Sequence, residues 1–105
     1  MTEIKDSYNR SIDWIIGNTV QEQAIAVSNK NNIPYMEVTG YLIPTLLDCG
    51  RESFAERYAD FLSYTQRPNG SFLGTDGKEY FFDSAQVLRG LLKASLRWKK
   101  YKPFA

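Results

Sequence analysis

The sequence contains no histidine and only one cysteine among its 105 residues. Without histidine, the chain lacks the usual zinc ligand and the usual general base, and it cannot form a Ser-His-Asp triad. Cys49 has no second cysteine in the chain with which to form a disulfide. This indicates a reducing compartment, and we expect a cytoplasmic protein.

Several other functional patterns are also missing from the sequence. There is no signal-peptide pattern, no apolar run of membrane-spanning length, and no P-loop or Rossmann glycine pattern. The carboxylates of Asp76 and Glu79 are too few for a calcium-binding loop. The net charge of +1 gives no electrostatic reason to expect nucleic-acid binding. We therefore expect no cofactor, no metal ion, no nucleic acid and no membrane partner.

The chain consists of two similar halves, offset by about 46 residues. In each half, a segment with helical periodicity is followed by a polar loop and then by a more apolar helical segment. Asp13-Trp14-Ile15 aligns with Asp60-Phe61-Leu62, and the segment that begins at Gly40 aligns with the one that begins at Gln86. A repeat of this length is typical of stacked helical hairpins.

Apolar residues at helical spacing predict four helices, at about residues 3–18, 34–49, 53–66 and 83–98. Residues 18–32 show no sustained period and are expected to form a loop, whereas Asp76-Gly77 predicts the turn of a short β-hairpin near residues 71–82. The sequence thus predicts a single all-α domain, residues 1–105, with antiparallel helical hairpins at 3–49 and 53–99. The apolar residues of the fourth helix are assigned to one face: Val87, Leu88, Leu91, Leu92 and Leu96.

Two hairpins are fewer than the roughly three that a stable helical-repeat array usually needs. Each hairpin has an apolar face that it cannot bury alone. We therefore expect this chain to form a homo-oligomer or to be part of a longer chain.

Four segments of the sequence carry a family resemblance: residues 37–42, 59–62, 66–72 and 82–88. They resemble the helical-hairpin repeats of (α/α) toroid proteins, in particular the terpene cyclase and prenyltransferase-like superfamily and the six-hairpin glycosidase-type proteins. The segment from Gln66 to Phe72 is similar to a degenerate cyclase repeat motif, with Phe72 where tryptophan is usual. The resemblance implies an (α/α) toroid or solenoid, and three copies of this chain could supply the usual six or so hairpins.

Two carboxylates are the candidate catalytic residues. Glu37 and Asp83 occupy equivalent places at the starts of the second and fourth helices, where paired carboxylates could act as acid and base on a glycoside. Structural roles are the interpretation we favour for both, because Asp83 with Gln86 matches a capping box and Glu37 would complement a helix dipole. The candidate ligand-binding residues are polar or aromatic side chains expected on the same face: Thr39, Tyr41, Gln86, Phe72 and Tyr80.

The last helix and the tail that follows it are basic. The interpretation we favour is a solvated helix end whose cations complement the helix dipole, and a patch for an anionic partner is the alternative. The cluster consists of six side chains: Arg89, Lys93, Arg97, Lys99, Lys100 and Lys102.

The sequence leaves three functions open. The first is a partial (α/α) toroid unit related to polysaccharide-processing proteins, which binds a carbohydrate once oligomerisation or more chain completes its site. The second is a non-catalytic helical-repeat module that binds another protein. The third, a fragment of a prenyl- or terpenoid-substrate enzyme, is less favoured because an Asp-rich ionisation motif is absent. We do not expect the isolated chain to be a complete enzyme.

Overall fold

A computed structural model describes residues 2–105, with the side chain of Thr2 left undescribed. Helices occur close to the four positions that apolar spacing predicts, whereas a sheet within residues 19–34 and a C-terminal 3₁₀ segment were not predicted. The elements, in chain order, are α1 (Thr2–Gly17), β1 (Thr19–Val20), β2 (Ala24–Ser28), β3 (Asn31–Pro34), α2 (Met36–Asp48), α3 (Glu52–Thr65), α4 (Phe81–Arg97) and a C-terminal 3₁₀ segment (Lys99–Phe104).

The all-α fold class that the sequence predicts is wrong. Most of the stretch 18–32, expected to be a loop, belongs to a three-stranded antiparallel sheet that spans residues 19–34 in the order β1-β2-β3. The chain is therefore a small mixed α/β domain. The sheet comes between α1 and α2 in the chain, where the predicted helical hairpin had only a connecting loop.

Two local features explain why the sheet leaves no clear pattern in the sequence. The turn between β1 and β2 has positive φ at Gln21 (50°) and Glu22 (62°), positions where Asn-Gly would be the recognisable pair. The first three residues of β2, Ala24 to Ala26, are all buried, so the strand lacks the usual alternation of apolar and polar residues. A short strand that is buried on both faces cannot be identified from periodicity.

The β-hairpin predicted near residues 71–82 is present only as its turn at Asp76-Gly77 and a minimal antiparallel pairing. Its strands are reduced to one isolated bridge between Leu73 and Glu79, and residues 81 and 82 belong to the first turn of α4. Phe72 is 2% exposed, and its backbone N–H donates a hydrogen bond to Ser84 Oγ at 3.0 Å. Burial of Phe72 and this bond attach the segment to α4, so it does not extend as a second strand.

Helices α2, α3 and α4 form the centre of the molecule, and α2 and α4 lie side by side in the same direction. Gly40 of α2 contacts Val87 and Gly90 of α4 so closely that a Cβ built on Gly90 would lie 2.0 Å from the Gly40 carbonyl oxygen. Glycine at both positions therefore allows the two helix backbones to touch. The buried side chains around this contact include Ile43, Leu46 and Leu91.

Helix α1 attaches to this centre mainly through its C-terminal half. Ile12 is buried, while Ile4 and Trp14 are exposed. An ion pair of 2.7 Å between Asp13 and Arg51 links α1 to the start of α3. None of the helices within residues 2–105 combines the length and the apolar composition that crossing a membrane requires.

Candidate functional site

The two predicted catalytic carboxylates lie at the same end of the molecule. Glu37 is in the first turn of α2, and Asp83 is in the first turn of α4. Both act on the phenol of Tyr35: its hydrogen bond to Glu37 raises its pKa most, and desolvation and the charges of Glu37 and Asp83 raise it further. We call Tyr35, Glu37, Tyr80 and Asp83 the carboxylate end.

The loop before α4 shapes this end around Asp83. A Cβ built on Gly74 would lie 2.9 Å from Asp83 Oδ2 and 3.1 Å from the ring of Tyr80, so the loop backbone passes close to both side chains. The Tyr80 hydroxyl donates a hydrogen bond to Asp76, which lowers the pKa of the Asp76 carboxyl and raises the pKa of Tyr80. These contacts hold Tyr80 beside the start of α4.

The capping-box interpretation of Asp83 is not supported by the helix boundary. Tyr80 is the N-cap of α4, and it makes no side-chain capping hydrogen bond within the described residues. Asp83 lies three residues further on, inside the helix, where its charge can still complement the helix dipole. Its carboxylate is therefore available to groups at the carboxylate end.

Two of the predicted ligand-binding residues are buried. The Thr39 hydroxyl accepts a hydrogen bond from the Ile25 backbone N–H at 3.1 Å and donates one to the Tyr35 carbonyl oxygen at 2.7 Å. Thr39 is 0% exposed and Phe72 is 2% exposed. Thr39 thus links the sheet to α2, Phe72 belongs to the core, and neither side chain is accessible to a ligand in this structure.

The other predicted ligand-binding residues lie apart from each other. Tyr80 is at the carboxylate end, and Gln86 is half-buried where α4 meets Gly40. Tyr41 is exposed and lines a separate groove of about 250 Å³ with Trp14 and Val38. The structure therefore brings Glu37, Asp83 and Tyr80 to one end, with Tyr41 close enough to Tyr35 to raise its pKa slightly, but it does not gather all seven predicted residues into one cavity.

The carboxylate end has the chemistry of a polar binding surface. Its phenols are protonated at neutral pH and can donate hydrogen bonds, and the carboxylates beside them raise the pKa of both Tyr35 and Tyr80 further. The carboxylates are acceptors, and the rings of Tyr80 and Phe82 are exposed beside them. Residues 2–105 contain no histidine. Their aspartate, glutamate and cysteine side chains form no group of three or more that could hold a metal ion.

A second surface, which the sequence prediction missed, runs along α4. Its side chains follow each other at intervals of three or four residues, so they lie in one line on the helix. Leu88 is 40% exposed, Leu92 49% and Leu96 84%. We call this surface the α4 apolar face, and its residues are Phe81, Ala85, Leu88, Leu92 and Leu96.

This face borders an open groove of about 590 Å³ between α4 and the second half of α2. Pro44 and Asp48 line the groove from α2, and Arg89 and Lys93 line it beside the leucines of α4. The ion pairs within the described residues involve other side chains, so the charges of Asp48, Arg89 and Lys93 have no partner in residues 2–105.

The sequence contained a signal for this second surface. A helix that buries one face shows an apolar stripe of limited width. In α4 the apolar residues at 87, 88, 91, 92 and 96 cover more of the circumference than one neighbour can bury. The prediction placed them all on one face, whereas Val87 and Leu91 point inward and the other three lie outside.

The end of the basic cluster is folded back onto α3. Arg97 pairs with Glu52 at 2.7 Å, and Lys100 pairs with Glu56 at 2.8 Å. The hydroxyl of Tyr101, which is 1% exposed, donates to Asp60 Oδ1 at 2.6 Å, and burial followed by this bond raises its pKa. The cations at 97, 99 and 100 stay exposed to solvent, as the favoured interpretation expects, while the segment packs against α3 through the buried ring of Tyr101.

Comparison with known proteins identifies no related protein. No family model matches the chain, no curated protein matches its sequence, and no solved structure matches its fold. The resemblance to (α/α) toroid proteins therefore stays a prediction. The two surfaces, the carboxylate end and the α4 apolar face, are the basis on which a function can be proposed.

Proposed function

We propose that this protein is an interaction module that binds another protein chain through the α4 apolar face. The observation that carries this proposal is the exposure of three leucines in one line, at 40%, 49% and 84%. Single exposed apolar residues are normal on a protein surface, but a continuous apolar patch with charged residues at its edge marks an interaction site.

The shape of the surface favours a helix as the bound element. Leu88, Leu92 and Leu96 are spaced as successive turns of α4, and the open groove beside them has Pro44 on its other wall. Helices are recognised in this way, with an apolar stripe lying in an apolar groove. Arg89, Lys93 and Asp48 at the edge would form the polar rim that such interfaces have around an apolar centre.

The energy available from this face is sufficient for specific association. Complete burial of one leucine or phenylalanine contributes roughly 1.5–3 kcal/mol. Several such side chains would offset an association cost that is estimated at about 4–15 kcal/mol, and the surplus would set the affinity. We therefore expect a moderate affinity that depends on the three leucines as a group.

The experiment that tests the proposal places a photo-crosslinking amino acid at position 92 of the full chain in its own cell. A matched control carries the same group at position 64, since Tyr64 is 89% exposed on α3. We expect crosslinked protein from position 92 and little from position 64. The variant Leu88→Ser should reduce capture at position 92, whereas Glu37→Gln and Asp83→Asn should not. Equal capture at both positions, or none at 92, would contradict the proposal.

A second candidate function is binding of a carbohydrate at the carboxylate end. The observation that favours it is the position of Glu37 and Asp83 around one phenol, next to the exposed rings of Tyr80 and Phe82. Carboxylates and phenols can hydrogen-bond sugar hydroxyls while aromatic rings cover the apolar face of a sugar.

Titration with soluble oligosaccharides, followed by tyrosine fluorescence, tests this second function. We expect a saturable change that Glu37→Gln and Asp83→Asn weaken without changing the unfolding temperature. Leu92→Ser serves as the control, because it lies on the other surface and should leave the titration unchanged. If no oligosaccharide changes the signal while both carboxylate variants lose stability, the carboxylates are structural.

A further inference from the structure

We infer that the chain that covers the α4 apolar face is a second copy of this protein, with the two α4 helices antiparallel across a twofold axis at Leu92. This inference rests on the proposed function, since it uses the same face, and it identifies the partner. The reason is that the face is complementary to itself in both its apolar residues and its charges.

The apolar residues of the face are arranged symmetrically about Leu92. Leu88 and Leu96 are each four residues away, which is about 6 Å along the helix axis in either direction. A twofold axis through Leu92 and perpendicular to α4 therefore places Leu88 against Leu96 of the partner subunit. The two Leu92 side chains meet at the axis. Contacts of this kind, in which the same patch serves both subunits, are the usual form of a dimer interface.

The charges beside the leucines fall into the same register. Gly40 of α2 lies beside Val87 and Gly90 of α4. The two helices run in the same direction and rise equally per residue, so Asp48, eight residues after Gly40, lies at the same height along α4 as about residue 96. Arg89 lies on the other side of Leu92, three residues before it. The twofold axis keeps the α2 sides of both subunits together, so it brings Asp48 of the partner subunit to within about 2 Å of the level of Arg89.

A second copy fits these charges better than a partner of one sign. An acidic helix would leave Asp48 facing a like charge, and a basic helix would oppose Arg89 and Lys93. A second copy forms the Arg89–Asp48 pair twice, once on each side of the axis. Of the charged side chains beside the leucines, Lys93 lies nearest the axis, so the Lys93 side chains of the two subunits approach each other. Their long stems let each ammonium group turn away from the other and toward an Asp48 carboxylate.

Sedimentation equilibrium of the purified full chain over a wide concentration range tests the inference. We expect a concentration-dependent dimer. Leu92→Glu should abolish it, because two carboxylates would meet at the axis, while circular dichroism stays unchanged. Tyr64→Glu, an equally drastic change on exposed α3, should leave the dimer intact.

A charge exchange tests the register itself. Arg89→Glu alone should weaken the dimer about tenfold, because the new carboxylate faces Asp48 of the partner subunit. Asp48→Arg alone should weaken it similarly by opposing Arg89 of the partner subunit. The double variant restores both pairs with reversed sign, and its dissociation constant should return to within about threefold of that of the unchanged chain.

Two results would overturn the inference and would separate it from the proposed function. A protein that stays monomeric, or that forms the trimer of a six-hairpin ring, has no twofold interface at Leu92. A dimer whose charge-exchanged double variant stays as weak as the single variants does not have this register. If the chain is monomeric but position 92 still crosslinks a different protein, the interaction module stands and only the second copy is excluded.

Discussion

The two faces of α4 carry the same kinds of side chain in opposite surroundings. Leu91 is 0% exposed among α2, α3 and the C-terminal segment, while its neighbour Leu92 is 49% exposed. Gly90 and the buried Ala94 accompany Leu91 on the covered face, and Gly90 lets the α2 backbone approach closely. The open face has no glycine and carries three leucines. Small residues thus determine which apolar face of α4 packs inside one chain, and the larger residues remain for a partner.

The largest expected effect comes from replacing each of two adjacent leucines, one on each face of α4, by alanine. Leu91→Ala removes a fully buried side chain and should lower the free energy of unfolding by about 3 kcal/mol, through lost burial and the cavity it leaves. Leu92→Ala should change monomer stability by less than about 0.5 kcal/mol. Chemical denaturation of both variants at low protein concentration measures the difference. Equal losses would mean that the two faces are not distinct in the monomer.

The next effect concerns the glycine contact that defines the covered face. Gly90→Ala would place a Cβ 2.0 Å from the Gly40 carbonyl oxygen, so α2 and α4 would have to separate. We expect a net loss of about 2 kcal/mol in the free energy of unfolding, after a gain in helix propensity of about 1 kcal/mol. Gly17→Ala is the matched control, because its Cβ would meet nothing within 4 Å, and it should be neutral or slightly stabilising.

A smaller effect is expected where the sheet holds α2 in place against α4. Thr39→Val keeps the shape of the side chain but removes the hydroxyl that accepts the Ile25 N–H bond at 3.1 Å. The buried N–H would lose its partner, which we expect to lower the free energy of unfolding by about 1.5 kcal/mol. Thr39→Ser retains the hydroxyl and should cost less than Thr39→Val. The reverse order, measured by thermal unfolding, would mean that packing of the methyl group matters more than the bond.

The helices were predictable because their cause is local. Apolar residues recur at helical spacing over a dozen or more positions, and the predicted bounds differ from the observed ones by about two residues. The β-hairpin near residues 71–82 was not predictable in the same way. Whether Phe72 pairs in a strand or enters the core depends on Ser84, which lies on a different element. Interactions of this kind leave no periodic pattern.

The candidate sites were predictable only in part. The repeat indicated that Glu37 and Asp83 occupy equivalent places at the starts of α2 and α4, and the structure does bring both to one end. The residue types of Thr39 and Phe72 did not indicate whether their side chains face solvent or the core, and in the structure both are buried. The α4 apolar face was missed because a hydrophobic stripe shows which surface needs cover and does not show whether the same chain supplies it.

The smallest expected effect is a gain in stability at the turn that joins β1 to β2. Gln21 and Glu22 hold φ values of 50° and 62°, which side chains other than glycine and asparagine adopt at a cost. Replacing them by Asn-Gly should raise the free energy of unfolding by about 1 kcal/mol without changing either face of α4. Gln23→Gly is the control: φ at this position is not positive, so the variant should lose stability. A shift of the denaturation midpoint in the same direction for both would show that the gain does not come from the backbone conformation of residues 21 and 22.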